Sequence, residues 1–185
     1  MTVLLVDDEA PILRALKRTL GDLPAELITA GDGAQALAVL RTRRVDVMVA
    51  DIDMPQLDGL ELVRAARRES PLTYRILMTG AATMDRTIRA INDGEVVRFF
   101  TKPLEPAAFH EEMKTLVERV LRQRREGGQE TRKARREALY GWLAERFAGA
   151  ERIERAPDGG IELDLGRVRQ ALAGAGVAAR RVIGA

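Results

Sequence analysis

The chain has 185 residues, of which 46% are hydrophobic and 31% charged, and its net charge is +2. This composition excludes a disordered chain, because it supplies enough apolar side chains for a globular core. The absence of cysteine excludes disulfides, thiolate nucleophiles and cysteine-based zinc sites. The sequence lacks both the apolar run of about 18 residues that a membrane span requires and a signal peptide. We therefore expect a cytoplasmic protein without a membrane partner.

Short apolar runs alternate with helical patterns over the first 125 residues. Continuous apolar runs predict strands, and apolar residues three or four apart predict helices. The predicted strands are Thr2–Val6, Ala25–Ala30, Val45–Ala50, Arg75–Met78 and Val96–Phe100. The predicted helices are Pro11–Leu20, Gly33–Leu40, Leu60–Ala66, Met84–Ile91 and Glu105–Arg125. Strands with two apolar faces indicate an α/β fold, a doubly wound (βα)5 parallel sheet, for which we expect the strand order 2-1-3-4-5.

The pattern changes after Arg125. The stretch Glu126–Glu130 contains two glycines and interrupts the helical pattern, which is typical of a linker. Beyond it we predict a helix over Arg132–Phe147, a hairpin over Glu151–Leu165 and a short helix at Arg167–Leu172. The chain is therefore divided into a domain of residues 1–125, a linker of residues 126–131 and a small α+β region of residues 132–185 with no assigned role.

Polar side chains follow several predicted strands directly. Asp7 and Asp8 follow the first strand, and Asp51 follows the third, its neighbour in the expected sheet. These acids converge at one edge, where an oxygen-only cluster suits Mg²⁺. Thr79 and Lys102, at the ends of strands four and five, add a hydroxyl and a positive charge there. Such a set can stabilise phosphoryl transfer onto an aspartate.

Four stretches, LLVDDE, DIDMPQLDG, ILMTG and FFTKP, resemble the receiver domain of two-component response regulators in order, spacing and strand context. The resemblance covers residues 1–123. It implies that Asp51 is the phosphoacceptor. It also implies that Mg²⁺ is bound by Asp8 directly, by Asp7 through water, by Asp51 and by the backbone carbonyl of Asp53.

The same resemblance assigns three further residues. Lys102 pairs with the phosphoryl group, and Thr79 bonds to that group once it has formed. Phe99 occupies the position of the rotating aromatic switch, where the family often has tyrosine. Without a phenolic hydroxyl, packing of the Phe99 ring must carry the switch.

The resemblance implies a response regulator of a two-component phosphorelay, whose phosphoryl donor is a sensor histidine kinase or a phosphotransfer protein. It implies that the protein is not an enzyme, apart from two reactions on itself: self-phosphorylation from small donors and autodephosphorylation. Phosphorylation would shift a two-state equilibrium and change the surface formed by the fourth predicted helix, the fifth strand and the fifth helix. That surface would bind a second copy of the chain or an unknown downstream protein.

Two other functions stay open. Residues 119–136 carry eight basic side chains against two acidic ones, which would suit a DNA-binding transcriptional regulator. Nucleic acid is not the favoured partner, because residues 132–185 contain no convincing helix-turn-helix. The second alternative is a phosphatase of the haloacid-dehalogenase type, which also uses an Asp-x-Asp motif, here Asp51 and Asp53. In that class the nucleophile follows the first strand and the acidic pair comes late, the reverse of the order found here.

Overall fold

The computed structural model describes residues 1–80, 96, 98–125, 154–155 and 161–162. One sheet contains the strands β1 (Thr2–Val6), β2 (Glu26–Ala30), β3 (Val47–Asp51), β4 (Tyr74–Thr79) and β5 (Arg98–Thr101). Their order is β2-β1-β3-β4-β5, and every neighbouring pair is parallel. The predicted fold class and strand order are therefore confirmed.

Helices follow most of these strands. The described helices are α1 (Ala10–Thr19), α2 (Gly33–Thr42), α3 (Gly59–Glu69) and the long helix (Pro106–Arg125). The long helix corresponds to the fifth predicted helix. The fourth predicted helix, Met84–Ile91, lies outside the described residues.

The sheet separates two apolar layers, because successive side chains of a strand point to opposite faces. Leu4, Met48 and Leu77 belong to the layer on the side of α2 and α3. The other layer joins the sheet to α1 and the long helix and contains Val3, Leu5, Val49, Ile76, Phe100, Phe109 and Met113. The rings of Phe100 and Phe109 meet edge to face, with centroids 4.8 Å apart. The long helix is thus packed directly on β5.

Local sequence signals set the starts of two helices. Asp32 caps α2, because its side chain accepts a hydrogen bond from the backbone N–H of Gln35. At α3, Asp58 accepts from the N–H of Glu61, and the Glu61 carboxylate accepts from the N–H of Asp58. This capping box satisfies N–H groups that a helix start leaves unpaired, so α3 begins at a defined residue directly after the loop that follows β3.

His110 connects the long helix to the loop between α1 and β2. Its Nε2 atom lies 2.8 Å from Oδ1 of Asp22, and the imidazole is 20% exposed. The hydrogen bond with Asp22 raises the pKa of His110, and the same contact lowers the pKa of Asp22. The contribution of His110 to stability is therefore complete below its unfolded pKa of about 6.5 and is lost as the pH rises through its higher folded pKa.

We expect the change His110→Gln to destabilise the protein more at about pH 5.5 than at about pH 8.5, on either side of the imidazole titration. Asp22 is ionised at both pH values, because its pKa is lowered from an already acidic value. Urea unfolding of the two proteins at both pH values measures the difference. An equal loss of stability at both would show that the ion pair contributes nothing.

In the C-terminal region two short strands are described, β6 (Glu154–Arg155) and β7 (Ile161–Glu162). They pair antiparallel, with Glu154 opposite Glu162, in agreement with the hairpin predicted over Glu151–Leu165. The predicted linker at 126–131 and the predicted helices Arg132–Phe147 and Arg167–Leu172 lie outside the described residues. Within the described part of the chain, no helix has both the length and the apolar character needed to cross a membrane.

Candidate functional site

The carboxyl ends of three neighbouring strands place the predicted site residues at one edge of the sheet. Val6 of β1 is paired with Ala50 of β3, so Asp7 and Asp51 follow side by side. Asp51 is in turn paired with Met78 of β4, which directly precedes Thr79. Parallel pairing therefore assembles at this edge residues that are far apart in the sequence.

Three carboxylates form the acidic part of the site. One oxygen from each of Asp7, Asp8 and Asp51 lies within 4.8 Å of the other two. Asp7 and Asp51 are buried, whereas Asp8 is exposed. Oδ1 of Asp7 accepts a hydrogen bond from the N–H of Glu9, and Oδ1 of Asp51 accepts one from the N–H of Ile52, both at 2.9 Å. The donor set consists of hard oxygens and opens to solvent at Asp8, so it fits a hard divalent cation.

Lys102 brings a positive charge into this cluster. Its Nζ atom lies 2.9 Å from Oδ1 of Asp51 and 3.5 Å from Oδ2 of Asp7. Burial lowers the pKa of Lys102, but the hydrogen bond and charge of Asp51 together with the charge of Asp7 outweigh it, so the pKa is raised overall. The ammonium is therefore protonated at neutral pH.

The environment of Asp7 disfavours the ionised form of its carboxyl group. Burial raises the pKa of Asp7, and the neighbouring charge of Asp51 raises it further. The N–H of Glu9 and the ammonium of Lys102 act in the opposite direction without cancelling the effect. Two crowded carboxylates thus share one lysine, an arrangement that an additional cation would stabilise.

Thr79 and Phe99 lie on β4 and β5, the two strands beyond β3 in the sheet. The hydroxyl of Thr79 is buried and donates a hydrogen bond to the carbonyl oxygen of Gly80 at 3.0 Å. Phe99 is 1% exposed and is paired with Leu77, two residues before Thr79. Strand alternation places Thr79 and Phe99 on the same face of the sheet, away from Phe100 and the long helix.

The loop after β3 returns tightly to the strand that carries Asp51. The N–H of Gly59 donates to the carbonyl oxygen of Ile52 at 3.0 Å. A Cβ atom at Gly59 would lie 2.1 Å from the carbonyl oxygen of Asp51, so only glycine fits at this place. Asp53 is exposed within the loop, and Gln56 has a φ of 68°, in the left-handed region. The sequence signals a turn here through Pro55 and the Asp-Gly pair, but it does not reveal the contact between Gly59 and Asp51.

A protein-family model described as the response regulator receiver domain matches residues 3–114. The chemotaxis protein CheY of Pseudomonas aeruginosa is 32% identical over 123 residues, which are 65% of this chain and 98% of that protein. The transcriptional regulatory protein GlrR of Escherichia coli is 29% identical over 116 residues, which are 63% of this chain and 26% of that protein. This chain thus spans about a quarter of the length of GlrR.

Solved structures give the same result. The signal receiver domain of an HD domain-containing protein from Pseudomonas fluorescens Pf-5 matches with a TM-score of 0.60 and 34% identity, over 64% of this chain and 95% of that one. An adenylate cyclase structure from Rhodopirellula baltica matches with a TM-score of 0.59 and 31% identity, over 66% of this chain and 87% of that one. The protein belongs, through residues 3–114, to the receiver-domain family of two-component response regulators.

Proposed function

We propose that this response regulator accepts a phosphoryl group on Asp51 from the phosphohistidine of a sensor kinase or a phosphotransfer protein. The observation that carries the proposal is the position of the Lys102 ammonium, 2.9 Å from the Asp51 carboxylate at the centre of the acidic cluster. In the proposed step an Asp51 oxygen attacks phosphorus, the phosphorus–nitrogen bond breaks, and the electron pair of that bond leaves with the donor imidazole, which takes up a proton. An acyl phosphate remains on Asp51.

We propose Mg²⁺ as the cation of the cluster. Asp8, Asp7 and Asp51 would hold it, together with the backbone carbonyl of Asp53. When bound, the cation supplies positive charge to the phosphoryl oxygens, as metal ions do in other phosphoryl-transfer sites. Lys102, paired with Asp51 and Asp7, supplies a second positive charge, and its raised pKa keeps that charge in place at neutral pH.

Thr79 and Phe99 are the proposed switch residues. Thr79 can redirect its hydroxyl from the Gly80 carbonyl to a phosphoryl oxygen on Asp51. Phe99, on the same face of the sheet, would respond by packing alone. The resulting change would reach the surface around β5. This surface would then bind a downstream protein or a second copy of the chain, which is the output we favour over DNA binding.

Incubation with Mg²⁺ and acetyl phosphate tests the proposal. Intact mass spectrometry should find one added phosphoryl group, held by a bond that hydroxylamine cleaves, as expected of an acyl phosphate. Omission of Mg²⁺ is the control and should prevent the addition. Continuous hydrolysis of phosphate esters, without a single labelled aspartate, would favour the phosphatase alternative instead.

The output is tested separately by the mass in solution with and without beryllofluoride, an analogue of the phosphoryl group. A change in mass, or capture of a protein partner, would support a protein-interaction output. DNA binding that weakens steeply with salt would support the transcriptional alternative.

Replacing Lys102 by alanine is expected to change the affinities for a cation and for an anion in opposite directions. Mg²⁺ should bind about tenfold more tightly, because the ammonium repels a second cation at the carboxylates. The interaction of two unit charges a few ångströms apart is on the order of 1–4 kcal/mol. Beryllofluoride at saturating Mg²⁺ should bind on the order of 100-fold more weakly, as when a positioned donor to an anion is removed. Titration calorimetry measures both affinities. The variant Lys102→Arg keeps the charge and serves as the control; a parallel weakening of both ligands in Lys102→Ala would contradict the assignment.

A further inference from the structure

A buried carboxylate lies at the edge of the sheet opposite the phosphoacceptor site. Asp46, directly before β3, is 6% exposed. Its Oδ2 atom accepts a hydrogen bond from the N–H of Thr2 at 2.8 Å. Its backbone donates to the carbonyl oxygen of Thr2 at 2.9 Å and accepts from the N–H of Tyr74 at 2.8 Å. Asp46 therefore joins the starts of β1, β3 and β4, and it plays no part in the proposed phosphoryl chemistry.

The last turn of the long helix is attached at the same place. Arg124 donates a hydrogen bond to Oδ1 of Asp46 and forms an ion pair with it. One residue earlier, Gln123 accepts a hydrogen bond from the hydroxyl of Tyr74 at 2.7 Å. Arg44 adds a weaker contact, with Nε 3.8 Å from Asp46. Two consecutive side chains of the helix thus reach residues that begin neighbouring strands.

These two contacts hold the C-terminal end of the long helix. The last four carbonyl groups of a helix have no intrahelical partners, so helix ends fray unless side chains hold them. Here Val120 is the last buried residue of the long helix, and the partly buried Leu121 is the last apolar side chain packed against the core. The two polar contacts therefore extend the attachment to the sheet by a further turn, up to the point where the chain continues into residues 126–185.

We propose that Asp46 and Tyr74 act as an anchor for the last turn of the long helix and so fix the place from which the C-terminal region leaves the receiver domain. The anchor is a conformational device of the fold. Its contacts come from residues of the chain itself: Arg124 pairs with the buried carboxylate of Asp46, and Gln123 accepts the hydrogen bond of Tyr74.

Hydrogen exchange of the 185-residue chain tests the anchor. In Arg124→Gln, the amides of residues 120–125 should exchange about tenfold faster, because a hydrogen bond to a charged group contributes on that order to local stability. The first turns of the long helix, from Pro106 onward, should keep their rates. Tyr74→Phe, which removes only a hydroxyl, should act in the same direction with a smaller effect and a preserved core.

The matched control is Arg125→Gln, which removes the same charge one residue later. Arg125 is exposed and has no ion pair within the described residues, so its replacement should leave these amides unchanged. The combination Asp46→Asn with Arg124→Gln replaces the ion pair by an amide pair and should restore part of the protection. Equal acceleration in Arg124→Gln and Arg125→Gln would overturn the anchor. So would unchanged rates in Arg124→Gln, or a uniform acceleration along the whole long helix.

Discussion

Replacement of Asp51 by alanine is expected to abolish the incorporation of phosphate from acetyl phosphate. Asp51 is the only acid of the cluster that lies within 3 Å of the Lys102 ammonium among the described residues. Removing its carboxylate removes the nucleophile itself, so no acyl phosphate can form. Intact mass spectrometry and hydroxylamine cleavage of the treated protein measure the result.

The control for this experiment is Asp22→Ala, which removes an exposed carboxylate far from the site and should leave the incorporation unchanged. Asp51→Ala should remain folded, because it relieves the repulsion between Asp51 and Asp7, and Lys102 keeps Asp7 as a partner at 3.5 Å. A circular dichroism spectrum and an unfolding curve verify this. Labelling of Asp51→Ala at full yield would place the acceptor elsewhere and would refute the proposed function.

Replacement of Gly59 by alanine is expected to lower the free energy of unfolding by about 3 kcal/mol, at the upper end of the usual cost of overpacking. The added Cβ atom would lie 2.1 Å from the carbonyl oxygen of Asp51 and 2.8 Å from Cα of Ile52. Both are backbone atoms of the segment that carries the acceptor, so no side-chain rotation can relieve the contact. The start of α3 must move away, which also displaces the loop beside Asp51.

Gly31→Ala is the matched control for Gly59→Ala. A Cβ atom at Gly31 would meet only the side-chain amide of Gln35, at 3.8 Å, an ordinary van der Waals distance. Urea unfolding should therefore find a change of less than about 1 kcal/mol in this variant, as for most substitutions that create no clash. Comparable effects in the two variants would show that the contact between Gly59 and Asp51 does not limit stability.

The sequence alone was sufficient to predict the parallel sheet, because its strands are apolar on both faces and are followed by polar residues. Thr2–Val6 was predicted with the bounds that the structure has. The strands β3, β4 and β5 each end one residue later than predicted, and β3 begins two residues later, at Val47. These differences matter little for the prediction of the acidic cluster, since parallel neighbours bring their ends together whatever the last residue of each strand. The proximity of Asp7, Asp8 and Asp51 followed from strand order, and the structure agrees with it.

The contacts that the sequence did not predict are those between segments whose relative placement depends on tertiary packing. Asp46 and Arg124 are 78 residues apart. The sequence places Asp46 inside the third predicted strand and Arg124 in the basic stretch 119–136, and neither pattern indicates that they pair. Their pairing requires the long helix to end beside the start of β3, which depends on its length and its tilt on the sheet. The sequence likewise indicates only a turn at Gly59, because the close approach of α3 to Asp51 depends on tertiary packing and not on a local pattern.

The two ends of β3 give the acceptor strand a double role. Asp51 closes it at one edge of the sheet, and Asp46 precedes it at the other, where the long helix ends. The long helix has 20 residues and is about 30 Å long. For a rod of this length pivoting at its far end, a shift of about 1–2 Å at its start, the size common in switching proteins, is a tilt of only a few degrees. With the pivot at Asp46, a shift of the helix start beside Lys102 would therefore change the direction of the helix axis at residue 125. The position of that helix end would hardly change.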